Sequence, residues 1–298
     1  MARAVLRESR ASSAPRRLDL VSAGTSATAL LALLLALTEA NGAGWASPRV
    51  VILLSVAVIG SALFVRHERL TKDPLLDLSL FRDRSFASAN VLILLATSVM
   101  CSLFFLALYL QTVLGYSALA AGAGLLPLTV TIVAIAPLAG RVTDRIGARL
   151  PITLGMLLLA GALLGLSGLG LDSGIGSLMP WLALAGLGIG LLTTPTTTAA
   201  LGSIDEGNYG TVAGVFTTFR VTGLTLGIAI RGAILASFGP GAAFDRGFDS
   251  RHHAAFVDGF STALTVNAAI ALSAAVLAAL TMRPRTHISP TTPLNAQR

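Results

Sequence analysis

Eight stretches of this chain are apolar enough and long enough to cross a lipid bilayer, and the basic residues between them gather on alternate sides. A helix needs about 20 mainly apolar residues to cross the roughly 30 Å hydrocarbon layer. The sequence predicts such helices at Leu18 to Thr38, Val50 to Val65, Phe86 to Leu110, Ala118 to Ala139, Leu150 to Leu171, Leu178 to Leu201, Gly210 to Phe238 and Gly259 to Met282. Of 298 residues, 54% are hydrophobic and only 12% charged, which leaves too little polar surface for a water-soluble domain of this size. The expected fold is therefore all-α: a polytopic membrane protein with eight transmembrane helices and the lipid bilayer as its main partner.

The carboxylates give an independent check. An ionised acid in hydrocarbon costs several kcal/mol, and all fourteen, from Glu8 to Asp258, fall between the expected helices or at their edges. Orientation follows from the arginines and lysines, because cytoplasmic loops retain the positive excess. Sixteen basic residues fall on one side, including Arg66, Arg69, Lys72, Arg141, Arg145 and Arg149. Only Arg49, Arg246 and Arg251 fall on the other, while Arg220 and Arg231 lie within a span. Both termini are expected to be cytoplasmic, as an even number of crossings requires.

The same topology explains a net charge of +7, and nucleic-acid binding is not expected because no basic stripe is interleaved with aromatics on a polar surface. The single cysteine, Cys101, lies in an apolar span and excludes an intrachain disulfide framework. No P-loop, G-x-S-x-G, H-E-x-x-H or Cys/His metal spacing occurs. The four histidines, His67, His252, His253 and His287, fall in expected connections or the tail. No enzyme chemistry, cofactor or metal is expected.

The chain divides into a polar arm (1–17), a transmembrane hairpin (18–65) turning at Asn41-Gly42-Ala43-Gly44, a cytoplasmic linker (66–85), a six-helix bundle (86–282) and a tail (283–298). In the linker, Leu75, Leu76, Leu78, Leu80 and Phe81 among charges predict a short segment on the membrane surface.

Several polar positions stand out from this background. Gly140-Arg-Val-Thr-Asp-Arg-Ile-Gly-Ala-Arg149 is a basic turn between two spans. Gly140 and Gly147 permit tight turns and close approach, while Asp144 can cap a helix or pair with Arg145 or Arg149. Such a turn serves either to latch two helices or simply to hold a loop on the cytoplasmic side. Arg220 sits mid-span, where an arginine must face protein or water. It acts either in gating or as an interhelical hydrogen-bond donor. Gly223 and Gly227 have the small-xxx-small spacing that brings helices together. Arg231, eleven residues after Arg220, is nearly on the same helix face and is expected to snorkel to the outer interface. Thr193-Thr-Pro-Thr-Thr-Thr198 either lines a polar cavity or satisfies carbonyls freed by Pro195. Asn267 and Gln111 are neutral polar candidates for substrate contact.

The G-x-x-x-D-R-x-G-x-R pattern at 140–149 resembles the cytoplasmic loop motif of the major facilitator superfamily. Asp73-Pro-Leu-Leu-Asp-Leu-Ser-Leu-Phe-Arg82, Phe105-Leu-Ala-Leu-Tyr-Leu-Gln-Thr-Val-Leu-Gly-Tyr-Ser117, Leu125-Leu-Pro127, Gly186-Leu-Gly-Ile-Gly190 and Phe219-Arg-Val-Thr-Gly-Leu-Thr-Leu-Gly-Ile-Ala229 are similar to its fourteen-helix drug:proton antiporter branch. That resemblance implies secondary export of amphipathic small molecules against protons. Substrate in such transporters binds near the midplane between two bundles that rock to alternate access. It also implies six helices ahead of the segment that Arg7-Glu-Ser-Arg10 and Arg16-Arg-Leu-Asp19 resemble, so the chain is expected to be the C-terminal portion of the transporter. The alternative expectation is a transport-incompetent remnant, or a subunit that needs a separate N-terminal six-helix chain. No span carries a carboxylate or histidine for proton coupling.

Overall fold

A computed structural model describes residues 19–71, 76, 78–170, 173–201, 209–238 and 253–282. The arm, the tail and most of the polar loop at 239–258 lie outside the described residues. Among those described there is no strand, and eight helical spans are long and apolar enough to cross a membrane.

Helices α1 (Leu20–Ala43) and α2 (Pro48–Leu70) form the hairpin. Asp19 caps α1 by accepting from the Val21 and Ser22 amides. Ser47 caps α2, whose first residue is Pro48, where a missing N–H costs nothing. The two helices close onto one another where a Cβ at Gly60 would sit 3.0 Å from the Ala29 methyl. Each end of the pair is tied. Asp19 Oδ2 lies 2.7 Å from His67 Nε2, and Glu39 lies 2.8 Å from Arg49 at the other end. The His67 hydrogen bond, followed by those from Ser22 and Val21, holds the Asp19 carboxyl below its ordinary value. The structure thus corrects the sequence expectation at this end: α2 does not stop at Val65, and His67 is a helical residue rather than a loop one.

A 3-10 turn, Leu78–Arg82, follows, and its Phe81 packs on Phe86 and Phe219, with ring centroids 5.3 Å and 6.3 Å apart. The linker is therefore fastened to the bundle through this ring.

The bundle comprises α3 (Arg84–Thr112), a helix broken into α4 (Ala118–Gly124) and α5 (Leu126–Ile146), α6 (Arg149–Ser167), α7 (Ile175–Leu201), α8 (Tyr209–Ser237) and α9 (His253–Thr281). Pro127 explains the break, because it supplies no amide to the preceding turn. Helix α3 is the centre of the bundle: 65% of its apolar stretch is buried, against 11% along α4 and α5 and 22% along α8. Tyr109 of α3 stacks on Phe260 of α9, with centroids 5.4 Å apart, and donates to the Gly170 carbonyl at 2.7 Å. The loop after α6 is thereby pinned to the core.

Between apolar helices in lipid there is little hydrophobic drive, and association rests on close packing. Helix α7 shows how the sequence achieves it. A Cβ at Gly186 or Gly190 would fall within 3.0 Å of α5, and one at Gly188 within 3.0 Å of the Gly155 carbonyl on α6. The Gly-x-Gly-x-Gly run thus lets one helix touch two neighbours backbone to backbone. Replacing Gly188 by Leu should force α6 and α7 apart and cost at least the 1–3 kcal/mol typical of overpacking. Size-exclusion elution after heating checks it, and wild-type recovery of monodisperse protein would contradict this packing.

Candidate functional site

Helix α8 carries both intramembrane arginines, and its rotation decides what each of them meets. Val212, Phe216, Gly223, Gly227, Arg231 and Leu235 are buried, whereas Ala213, Thr217, Arg220, Leu224 and Ile228 form an exposed stripe. A Cβ at Gly223 would collide with the backbone of Leu94 and the hydroxyl of Thr97 on α3, and one at Gly227 with the backbone of Ser98. These two glycines let α3 and α8 approach to backbone contact. Thr97 Oγ1 then donates to the Arg220 carbonyl at 3.0 Å.

Arg231 does not snorkel. It is 1% exposed. One terminal nitrogen, Nη2, donates to the Ser98 carbonyl at 2.6 Å, the Val99 carbonyl at 3.1 Å and Ser102 Oγ at 2.6 Å, and the other, Nη1, to the Gly227 carbonyl at 2.8 Å. The guanidinium also lies 5.9 Å from the Phe105 ring centroid. Its Nε has no hydrogen-bond partner among the described residues, and no carboxylate pairs with it there. The physical reason for the correction is proximity: the cleared glycine face brings the carbonyls of α3 within hydrogen-bonding reach of Arg231.

Arg220, by contrast, is exposed, although it is the twelfth residue of a 29-residue helix. Sequence spacing puts the two arginines in one angular sector. The structure separates them because α3 contacts the backbone at residue 220 and receives the side chain at residue 231.

The basic motif is helical over most of its length rather than a loop. Gly140, Asp144 and Arg145 belong to α5, and only Gly147 and Ala148 lie between it and α6. Gly147 has φ +83 and returns its amide to the Thr143 carbonyl at 2.9 Å, a conformation that suits glycine. Asp144 is exposed in the last turn of α5 and so does not cap a helix start, and α6 has no side-chain cap. Arg149 is the first residue of α6 and half-buried.

The remaining candidates do not converge on one cavity. Gln111 is exposed at the end of α3 and donates to its own helix at Ala107, 3.0 Å away. Asn267 is fully buried in α9 and bonds back to Ala263. The threonines at 193, 196, 197 and 198 bond to the carbonyls four residues before each of them, at 189, 192, 193 and 194, so none of these bonds reaches Leu191, the carbonyl that Pro195 frees. Cys101 is buried and free, as a packed apolar residue. The buried polar groups that were not singled out in the sequence include Asn90, bonded to the Phe86 carbonyl, and Glu68, which accepts from the Leu76 amide.

Eight apolar spans around such glycine seams, with the basic motif at the α5–α6 junction, agree with a sequence match of residues 9–228 to the Major Facilitator Superfamily. The chain belongs to that superfamily. This superfamily member is 34% identical over 232 residues to multidrug resistance protein Stp of Mycobacterium tuberculosis (strain H37Rv), covering 75% of this chain and 42% of that protein. It is 31% identical over 318 aligned positions to the tetracenomycin C resistance and export protein of Streptomyces glaucescens, covering 94% of this chain and 59% of the relative. Against quinolone resistance protein NorB of Staphylococcus aureus (strain MRSA252) the identity is 25% over 209 residues, covering 70% and 45%. The chain thus spans about half the length of these curated relatives. It is a membrane-embedded member of a transporter family, not an enzyme.

The two arginines should respond differently to substitution. Interhelical hydrogen bonds in membranes average about 0.6 kcal/mol, so the three that Arg231 makes to α3 amount to about 2 kcal/mol. In the inserted chain an unseated Arg231 would also face lipid, which adds to its preference for the seam. Thermal unfolding in detergent should therefore show Arg231→Leu losing about 2 kcal/mol and Arg220→Leu staying near wild type. Equal midpoints for the two variants would contradict the seam.

Proposed function

We propose that this chain supplies the C-terminal half of the translocation pathway in a proton-coupled efflux transporter for amphipathic compounds, with α5 and α8 facing a second, N-terminal six-helix bundle. The observation that carries this reading is the exposed Arg220. An arginine near the middle of a span costs about 2.5 to 3.5 kcal/mol on insertion scales and settles against protein or a water-filled cavity. The α8 stripe that bears it therefore needs a covering other than acyl chains. Helices α5 and α8 are also sparsely buried by their own bundle. The functions for which these relatives are named, multidrug resistance and export, support the substrate class.

In this arrangement the second bundle belongs to the same polypeptide or to a separate chain, and the pathway runs between the two. Arg220 lines it and interacts with substrate or with a polar group of the opposite bundle. Gly140, Asp144, Arg145, Gly147 and Arg149 control conformation from the cytoplasmic end, since the two-residue turn at Gly147 and Ala148 transmits tilting of α5 to α6. The termini and this turn face the cytoplasm, and the membrane is the cell membrane. The described spans of the bundle lack a membrane-centre carboxylate, so the proton-binding group lies in the partner bundle.

Ethidium efflux from cells tests this. Supplied with a six-helix N-terminal half, the chain should export the dye, and Arg220→Ala should reduce export at least about tenfold while membrane insertion is unchanged, the size expected when a charged polar contact is lost. The chain alone should show no proton-dependent efflux in inverted vesicles. Robust transport by it alone would overturn the two-bundle reading.

A further inference from the structure

The cytoplasmic ends of α3, α6 and α9 enclose a cavity of about 560 Å³ whose lining is of two kinds. Val91, Leu277, Leu280 and Met282 make it apolar, while Arg84 and Arg149 place two guanidinium groups at its edge. No carboxylate lines it. The carboxylate nearest in sequence, Asp83, is engaged in capping α3 through the Ser85 and Phe86 amides. Neither arginine forms an ion pair among the described residues. Helix α6 begins at Arg149 without a side-chain cap; Pro151 has no N–H and the Ile152 amide is bonded to the Ala148 carbonyl, so among the described residues the amides of Arg149 and Leu150 remain to meet an anion.

We propose that this cavity is a binding site for one anionic phospholipid of the inner leaflet. The phosphate sits between Arg84 and Arg149 at the α6 N-terminus, and an acyl chain lies along Val91, Leu277 and the exposed Leu280. Charge complementarity argues for an anion. The apolar lining and the position at the ends of three spans argue for a lipid over a free anion, because inorganic phosphate has no use for four apolar side chains. The proposal is independent of what the chain transports. It gives Arg149 a ligand of its own, apart from any part in conformational control. A lipid held there would tie the first turns of α3 and α6 to the last turn of α9.

The test is native mass spectrometry of the intact chain in neutral detergent, titrated with phosphatidylglycerol, with phosphatidylcholine or with inorganic phosphate. Wild type should retain phosphatidylglycerol in preference to phosphatidylcholine. Each basic residue near an anionic lipid is worth about fivefold in affinity. Arg84→Gln with Arg149→Gln should therefore weaken phosphatidylglycerol roughly 25-fold and the zwitterionic phosphatidylcholine much less, and the Lys pair should restore most of the loss. Arg49→Gln, at the opposite membrane face, should change nothing. Should the Gln pair fail to elute as a folded species, Ala87→Trp fills the cavity without removing charge and should likewise displace the lipid. Equal retention of the two lipids by wild type, or undiminished phosphatidylglycerol binding in the Gln pair or in Ala87→Trp, would overturn the proposal. Displacement of the lipid by millimolar phosphate would overturn it too, reducing the cavity to a bare anion site.

Discussion

Backbone-to-backbone contact between α3 and α8 is the constraint on which the rest of the site depends. Lipid tails are as apolar as leucine, so two helices gain from meeting only if they approach closely enough for packing and hydrogen bonds between them. Gly223 and Gly227 remove the side chains that would hold α8 off α3. The approach brings the carbonyls of Ser98 and Val99 and the hydroxyl of Ser102 to the Arg231 guanidinium, and the Thr97 hydroxyl to the Arg220 carbonyl. Each of these contacts requires the same rotation of α8. With that rotation set, the exposed stripe that includes Arg220 is set as well.

The two arginines illustrate how one costly residue type serves opposite ends in a bilayer. Arg231 is solvated by carbonyl and hydroxyl dipoles inside the bundle, and it reinforces the seam. Arg220 has its backbone tied to α3 and its side chain turned to the bundle's open side. In the proposed transporter, the first holds the helix and the second addresses the pathway. The hairpin of α1 and α2 adds to this frame, because α1 packs against α8 and is itself clasped to α2 by Asp19 and His67.

The spans were readable in the sequence because hydrocarbon sorts residues by charge. Asp19, Glu39 and Asp83 lie at or near helix ends. Helix faces were much harder to read, for the same physical reason: when lipid and core are equally apolar, the side that packs has no distinctive composition. Gly223 and Gly227 were exceptions, since smallness itself is the signal. The fate of Arg231 was hidden because three of its four hydrogen-bond partners are main-chain carbonyls, two on α3 and one on its own helix, which no residue type announces. The Ser102 hydroxyl is the one side-chain hydrogen-bond partner of Arg231 among the described residues. The motif at 140–149 looked like a loop because its charges outweigh its helical spacing, yet Gly147 and Ala148 make the whole turn, with Gly147 at positive φ.

The central claim is that α8 is seated on α3 so that the Arg220 side chain meets water or protein while Arg231 is sealed against α3. Its most direct test is thiol labelling in a Cys101→Ser background, with Arg220→Cys and Arg231→Cys examined one at a time in membranes containing both bundles. A membrane-impermeant maleimide should modify the cysteine at 220 and leave the one at 231 unreacted. A cysteine at 220 that resists the reagent and is instead quenched by lipid-borne probes, or one at 231 that labels readily, would contradict the account.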